Sequence, residues 1–188
     1  MKKIRRRALA GLTHGMTTRM IDLIMEPSEV DVMVKIISAK TTTHIDTVRR
    51  LFKEYENFLD VDLCFQDFKK ELIGLPGKYA PPQGALLLAL VDEEIAGCVA
   101  VCRFKTNICE MKRLYVRPLF RGKKIGRMLA EEIISTAKMR GYATMLLDTL
   151  THLKEAMALY QSLGFKKREP YYHNPLPGVI YWELDLKA

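Results

Sequence analysis

The chain has 188 residues, of which 48% are hydrophobic, and it carries a formal net charge of +8 at pH 7. This length and apolar content predict one domain with a well-buried core. The longest apolar run, at 85–91, has the length of a strand, whereas a membrane-spanning helix needs about 20 apolar residues. The composition therefore argues against a membrane-spanning protein.

The predicted elements mix strands with helices from residue 32 onward. Helices are indicated by apolar residues at intervals of three and four, and strands by short apolar runs between turn residues. This order predicts an α/β sandwich rather than a repeat or a two-domain protein. We predict strands at 32–39, 85–92, 95–104, 108–116, 143–149, 165–170 and 178–186, and helices at 41–59, 65–74, 124–140 and 152–163.

Most of the positive charge lies at the start of the chain, because residues 1–21 contain six basic residues and no acidic one. We interpret 1–31 as a basic N-terminal extension and 32–188 as the domain. The extension could be an organelle-targeting segment, a translated upstream stretch or an extra helix packed on the domain or on a second subunit. Neither a recognition module nor an aromatic-interleaved basic stripe follows it, which argues against nucleic acid as a partner.

The cysteines and histidines do not have the spacing of metal ligands. Cys64, Cys98, Cys102 and Cys109 lie mostly within apolar strand patterns. We therefore expect free thiols in a reducing compartment, a cytoplasmic location and no metal site.

The most informative stretch is 109–126, where an apolar-alternating strand is followed by a proline turn, a basic glycine loop and an amphipathic helix. The first turn of a helix presents free N–H groups, and the helix dipole adds about half a positive charge there. Gly122 and Gly126 let a ligand approach the backbone. The pattern predicts a diphosphate site surrounded by four cations, Arg121, Lys123, Lys124 and Arg127.

Two other phosphate-binding signatures do not fit this loop. The strand is not followed by Gly-x-Gly-x-x-Gly, and no Gly-Lys-Ser/Thr lies at the spacing of a nucleotide-triphosphate loop. An ordinary strand-to-helix turn with solvated basic residues remains the alternative to a phosphate site.

Residues 121–126, Arg-Gly-Lys-Lys-Ile-Gly, resemble the acyl-CoA-binding motif of the GNAT family of N-acetyltransferases, Arg/Gln-x-x-Gly-x-Gly/Ala. Residues 156–165 are similar to the family's helix-then-Gly-Phe segment, which carries a tyrosine near the thioester. Two blocks in the right order are more specific than either alone, and the resemblance covers roughly 34–186. It implies a GNAT-like acyl-CoA N-acyltransferase fold, with a mixed, mostly antiparallel central sheet, splayed central strands and flanking helices.

Lys124 departs from the motif, which usually has glycine at this position. Its side chain could crowd the diphosphate or impose a less favourable backbone angle. Alternatively, its ammonium could point outward and add charge to the phosphates. We favour the second interpretation because Gly122 and Gly126 remain.

The resemblance implies acetyl-CoA as the co-substrate, with its diphosphate on the loop and its pantetheine arm paired to the splayed strand. The cofactor-binding residues that it implies are Leu114, Tyr115, Val116, Arg121, Gly122, Lys123, Lys124, Ile125, Gly126 and Arg127.

Acetyl transfer to an amine needs a base for the ammonium and an acid for the departing thiolate. We predict Glu110 as the base, acting through a water chain, because burial on an apolar strand raises a carboxyl pKa. The alternative for Glu110 is an ion pair with Lys112, whose side chain points the same way, or with Arg113. Tyr160 matches the family's tyrosine and is the predicted acid, the alternative being a core tyrosine.

Two further groups flank the predicted acid. We interpret Asp148 as a residue that orients its neighbours and His152 as a surface or cap residue. Acceptor specificity is expected from two aromatic, proline-containing loops. Their Tyr79, Tyr171 and Tyr172 could wall a pocket for a small, partly apolar amine, or they could belong to ordinary packed loops.

The predicted function is transfer of an acetyl group from acetyl-CoA to a primary amine of a small molecule or protein, by direct transfer in a ternary complex. The alternative is a catalytically silent acyl-CoA-binding sensor or regulatory module. A basic nucleic-acid-binding protein ranks third. The acceptor, the acyl-chain preference and the oligomeric state stay open, although homodimers are common in the family that the chain resembles.

Overall fold

The computed structural model describes residues 2–4, 32–61, 63 and 67–187. Apart from 2–4, the predicted basic extension lies outside the described residues, and so does Cys64. The boundary predicted between 31 and 32 stays a prediction. The described residues form β1 (Lys2–Ile4), β2 (Val32–Ser38), α1 (Thr42–Leu59), α2 (Phe68–Gly74), β3 (Ala85–Val91), β4 (Glu94–Lys105), β5 (Ile108–Val116), α3 (Ile125–Met139), β6 (Thr144–Leu150), α4 (Lys154–Ser162), β7 (Lys166–Arg168) and β8 (Val179–Asp185).

All the described strands belong to one sheet, in the order β1-β2-β3-β4-β5-β6-β8-β7. Neighbouring strands are antiparallel except for β5 and β6, which are parallel. The prediction of a mixed, mostly antiparallel sheet flanked by helices is confirmed. Of the helices that the structure describes, none has both the length and the apolar character needed to cross a membrane.

The core has two layers because helices cover both faces of the sheet. Every residue of β3 is buried, and its side chains alternate between the layers, as the pleat of a strand requires. Leu87 and Ala89 join the cluster under α3, whereas Leu86 and Leu88 join the cluster under α1 and α2. Three described cysteines, Cys98, Cys102 and Cys109, are buried in these layers as free thiols.

The central strands separate at one end of the sheet. Strands β5 and β6 pair only through Ile108, Cys109 and Glu110, opposite 144–146. Beyond that point β5 also carries an irregularity in its pairing with β4, where Arg113 has a left-handed φ of 58°. A bulge bends the strand that carries it. The two parallel strands therefore part at their carboxyl ends, as the splayed strands of the predicted fold do.

Candidate active site

A cavity of about 800 Å³ opens where β5 and β6 part. Its walls come from the end of β5, the first turn of α3, one face of α4 and two aromatic residues of α1. The residues along it include Tyr55, Phe58, Leu114, Tyr115, Val116, Arg121, Gly122, Lys124, Ile125, Gly126, Arg127, Asp148, Thr149, Leu153, Leu159 and Tyr160. All the residues predicted to bind the cofactor line it, with the exception of Lys123.

The turn before α3 exposes backbone N–H groups to this cavity. The first hydrogen bond of the helix runs from the N–H of Met128 to the carbonyl oxygen of Lys124, at 3.1 Å. The N–H groups of 125–127 precede that bond, and such groups have no acceptor within their own helix. Gly122 has a φ of 76°, a left-handed conformation that glycine adopts without steric cost. The turn thus has the form of an anion-binding site.

Lys124 also adopts a left-handed conformation, with a φ of 59°, and its side chain is exposed. The unfavourable backbone angle is therefore real, because a side chain in this region clashes with its own backbone. The exposure of the side chain agrees with the interpretation in which the ammonium points outward. Lysine in place of the motif glycine thus has an unfavourable backbone angle and also an ammonium that points outward.

The other cations are held around the turn by local contacts. The Nε of Arg121 donates to the carbonyl oxygen of Val116 at 3.1 Å, and its guanidinium lies 4.2 Å from the ring centre of Phe58. Arg127 donates to the hydroxyl of Ser162. These contacts keep positive charge beside the exposed N–H groups.

Tyr160 lies in α4 and is only 7% exposed. Its ring packs edge-on against Phe165, with centroids 5.7 Å apart. Burial raises the pKa of its phenol well above 10, and the charges of Tyr55 and Asp148 raise it further. The phenol is therefore protonated at neutral pH.

A second, smaller cavity of about 40 Å³ adjoins the first. The two cavities share six lining residues, Tyr55, Leu114, Asp148, Thr149, Leu153 and Tyr160. The remaining wall combines five apolar side chains, Leu59, Leu63, Met111, Leu150 and Leu176, with three polar ones, Lys112, Arg113 and Asn174. The two cavities therefore meet at three hydroxyl-bearing residues, Tyr55, Thr149 and Tyr160, and at the carboxylate of Asp148.

The chain is similar in sequence to known acetyltransferases. A model of the acetyltransferase (GNAT) domain matches residues 82–167. An uncharacterized N-acetyltransferase of Schizosaccharomyces pombe is 44% identical, over 87% of this chain and 99% of its own length. An uncharacterized N-acetyltransferase of Dictyostelium discoideum is 34% identical, over 82% of this chain and 100% of its own. The chain belongs to the GNAT family of N-acetyltransferases.

Solved structures agree with this GNAT fold at low sequence identity. A GNAT-family acetyltransferase of Staphylococcus aureus superposes with a TM-score of 0.69 at 20% identity, over 82% of this chain and 99% of that one. The PaiA N-acetyltransferase of Thermoplasma acidophilum, solved in complex with coenzyme A, gives a TM-score of 0.63 at 18% identity, over 81% and 99%. Family membership makes this protein an acyltransferase.

Glu110, the base predicted for this GNAT domain, lies at the last position of β5 that pairs with β6 and is 8% exposed. Its Oε1 accepts a hydrogen bond from the hydroxyl of Tyr171 at 2.8 Å and lies 3.3 Å from the Nζ of Lys112. The ion pair considered as its alternative is thus present. Glu110 is not among the residues that line either cavity, and its role as the base stays a prediction.

The predicted acceptor-binding tyrosines fall in two different places. Tyr171 and Tyr172 pack against each other, with ring centroids 5.2 Å apart, and the hydroxyl of Tyr172 donates to Asp148 at 3.0 Å. Tyr79 is buried in the layer under α1 and α2, edge-on to Phe52. Because Tyr79 lines neither of the two joined cavities, we leave it out of the acceptor site proposed below.

Sequence reasoning missed two residues at the junction of this GNAT site. Tyr55 belongs to the apolar stripe of α1, and Thr149 to an apolar strand, so both patterns predict core positions. Neither carries a local signal of function. His152 is exposed at the surface, as the sequence predicted. Among the residues that the structure describes, no group of three or more His, Cys, Asp or Glu is placed to hold a metal ion.

Proposed function

We propose that this GNAT protein transfers an acetyl group from acetyl-CoA to a primary amine by direct attack in a ternary complex. The observation that supports it most is the position of Tyr160, at the junction of two cavities. The larger cavity includes the anion-binding turn, and the smaller one adjoins it at this residue. A thioester in the larger cavity and an amine in the smaller one would meet beside this phenol.

In this proposal the free N–H groups of 125–127 and the surrounding cations hold the diphosphate. The backbone of 114–116 lies beyond the last residue that pairs with β6, so its edge toward β6 is available to the amide groups of the pantetheine arm. The Thermoplasma neighbour that contains coenzyme A supports this use of the fold. The buried free thiols are consistent with a cytoplasmic protein.

The chemical step forms a bond between the amine nitrogen and the thioester carbon and breaks the carbon–sulfur bond. The thiolate takes the proton of the Tyr160 phenol. An ammonium loses two protons in becoming an amide. The first must leave before the attack, so that the nitrogen has a free electron pair, and the second restores the phenol. The net products are an amide, a thiol and one proton released to water.

The test is thiol release from acetyl-CoA by the purified protein with a panel of primary amines. Replacement of the acid, Tyr160→Phe, is expected to lower kcat by about 10²-fold or more, with the Kd for acetyl-CoA changed less than about twofold. Tyr142→Phe is the matched control, because the Tyr142 hydroxyl donates to the carbonyl oxygen of Gln83, away from the site.

The outcome that contradicts the proposal is normal binding of acetyl-CoA without thiol release for any amine. That result would favour the acyl-CoA sensor. If Tyr160→Phe and Tyr142→Phe lowered kcat equally, the phenol of Tyr160 would have no special part in the reaction.

A further inference from the structure

Asp148 occupies a distinctive position on β6. It lies two residues beyond Leu146, the last residue of β6 that pairs with β5, and it lines both cavities. On its other side β6 remains paired with β8, where Asp148 is opposite Tyr181. The carboxylate is therefore carried by a strand that is fixed on one side and open on the other.

A network of neutral groups orients this carboxylate. The hydroxyl of Tyr172 and the Nδ2 of Asn174 both donate to Oδ2 of Asp148, each at 3.0 Å. Asn174 also donates to the Tyr172 hydroxyl at 3.1 Å, and its Oδ1 accepts from the N–H of Leu176 at 3.0 Å. The hydrogen bond from Leu176 sets the orientation of the Asn174 amide. The hydrogen bond from Asn174 to the Tyr172 hydroxyl directs the proton of that hydroxyl toward Asp148.

Both hydrogen bonds to Asp148 that the described residues make end on Oδ2, which leaves Oδ1 for a ligand. The nearby cations have acidic partners of their own, since Lys112 lies against Glu110 and Arg113 against Glu71. The charged and titratable groups that face Asp148 from the surrounding elements are Tyr55 of α1, Lys112 and Arg113 of β5, Tyr160 of α4, Tyr171 and Tyr172 of the loop before β8, and Tyr181 of β8.

We propose that Asp148 binds the ammonium group of the acceptor and accepts its first proton, while Tyr172 and Asn174 act as positioning residues. This inference rests on the acetyl transfer proposed above and gives it a substrate class. Leucines form six of the fourteen residues that line the smaller cavity, and Lys112, Arg113 and Asn174 also line it. It therefore suits a small, partly apolar primary amine.

The proton balance of the reaction assigns each group one task. Asp148 takes the proton that the ammonium must lose before the attack and passes it to water. The proton that the nitrogen loses afterwards restores Tyr160. Glu110 is bound to Tyr171 and Lys112. In this proposal it stabilises the loop that carries Tyr171 and does not contact the amine.

The test compares the wild type with Asp148→Asn, using acetyl-CoA and n-butylamine. At pH 7, kcat/KM is expected to fall by about 10²-fold, with acetyl-CoA affinity unchanged. The deficit should shrink as the pH approaches the pKa of the amine, because a neutral amine needs no base. Asp92→Asn is the matched control, since that carboxylate accepts from the N–H of Met33 at the other end of the sheet.

A second measurement separates this inference from the proposed function. Binding of n-butylammonium to the protein–coenzyme A complex is measured by calorimetry. No turnover occurs in this complex, because coenzyme A carries no acetyl group. Binding that is lost in Asp148→Asn supports the ammonium site even if the wild type releases no thiol, in which case acetyl transfer alone fails.

Three outcomes would overturn the inference. One is kcat/KM of Asp148→Asn within about threefold of the wild type. Another is a deficit that is the same at every pH, as expected if Asp148 only holds the loop. The third is a pH-dependent loss in Glu110→Gln instead, which would return the role of base to Glu110.

Discussion

Replacement of Glu71 by glutamine tests how the bulged strand is held. Arg113 and Glu71 are 3% and 4% exposed in their side chains, and they meet through Nε–Oε1 at 2.9 Å and Nη2–Oε2 at 3.3 Å. Lys78 adds a contact of 2.9 Å to Oε2. The ion pair connects α2 to β5 at Arg113, the residue of β5 with the left-handed backbone conformation.

The expected cost follows from leaving a guanidinium in the interior. Removing one partner of a buried ion pair costs about 3–5 kcal/mol. Because glutamine keeps the volume and one acceptor oxygen, we expect Glu71→Gln to lose about 3 kcal/mol, the lower end of that range. For a domain of this size such a loss lowers Tm by about 6–12 °C.

The effect should depend on pH in a defined direction. Burial alone raises the pKa of the Glu71 carboxyl, but the charges and hydrogen bonds of Arg113 and Lys78 outweigh it, and the net pKa lies below its ordinary value of 4.5. A depressed pKa gives stability that is complete above the unfolded pKa and is lost as the pH falls through the folded pKa. The difference between the variant and the wild type should therefore shrink below about pH 4.

Urea unfolding followed by the fluorescence of Trp182 measures this difference, since Trp182 is the single tryptophan and is buried. Lys78→Met is the control. Its side chain is 46% exposed, and an exposed ion pair contributes less than about 1 kcal/mol. A loss below about 1 kcal/mol in Glu71→Gln, or a difference that does not change with pH, would refute the reasoning.

Two predictions concern the backbone around the cavity. Lys124→Gly is expected to raise the free energy of unfolding by about 1 kcal/mol, because it removes a side chain from a left-handed position. It should also weaken coenzyme A binding about two- to fivefold, the effect of one exposed charge; unchanged stability in urea would contradict the strain. Gly97→Ala is expected to cost about 2 kcal/mol or more, because its Cβ would press on the carbonyl oxygen of Tyr115. Thiol release should fall with it, and normal stability with normal activity would show that β5 can move.

Much of the fold could be predicted from the sequence because its signals are local. Apolar periodicity located the helices and strands to within a few residues, since each element is defined by hydrogen bonds to near neighbours or by an alternating pattern. The turn at 121–127 was predictable for the same reason. Its glycines, its cations and the start of α3 are adjacent in the chain, and Tyr160 lies in an equally contiguous block.

The partners of the carboxylates were decided only by the tertiary structure. Glu110 receives its hydrogen bond from Tyr171, 61 residues away, and Asp148 is oriented by Asn174, 26 residues away. No pattern within a strand specifies such contacts, because they depend on which loop packs over which strand. The sequence determined that a strand, a cationic turn and a tyrosine helix occur in this order. Where two strands part, and hence which carboxylate faces the opening, depends on sheet register and on a bulge that arises only from packing.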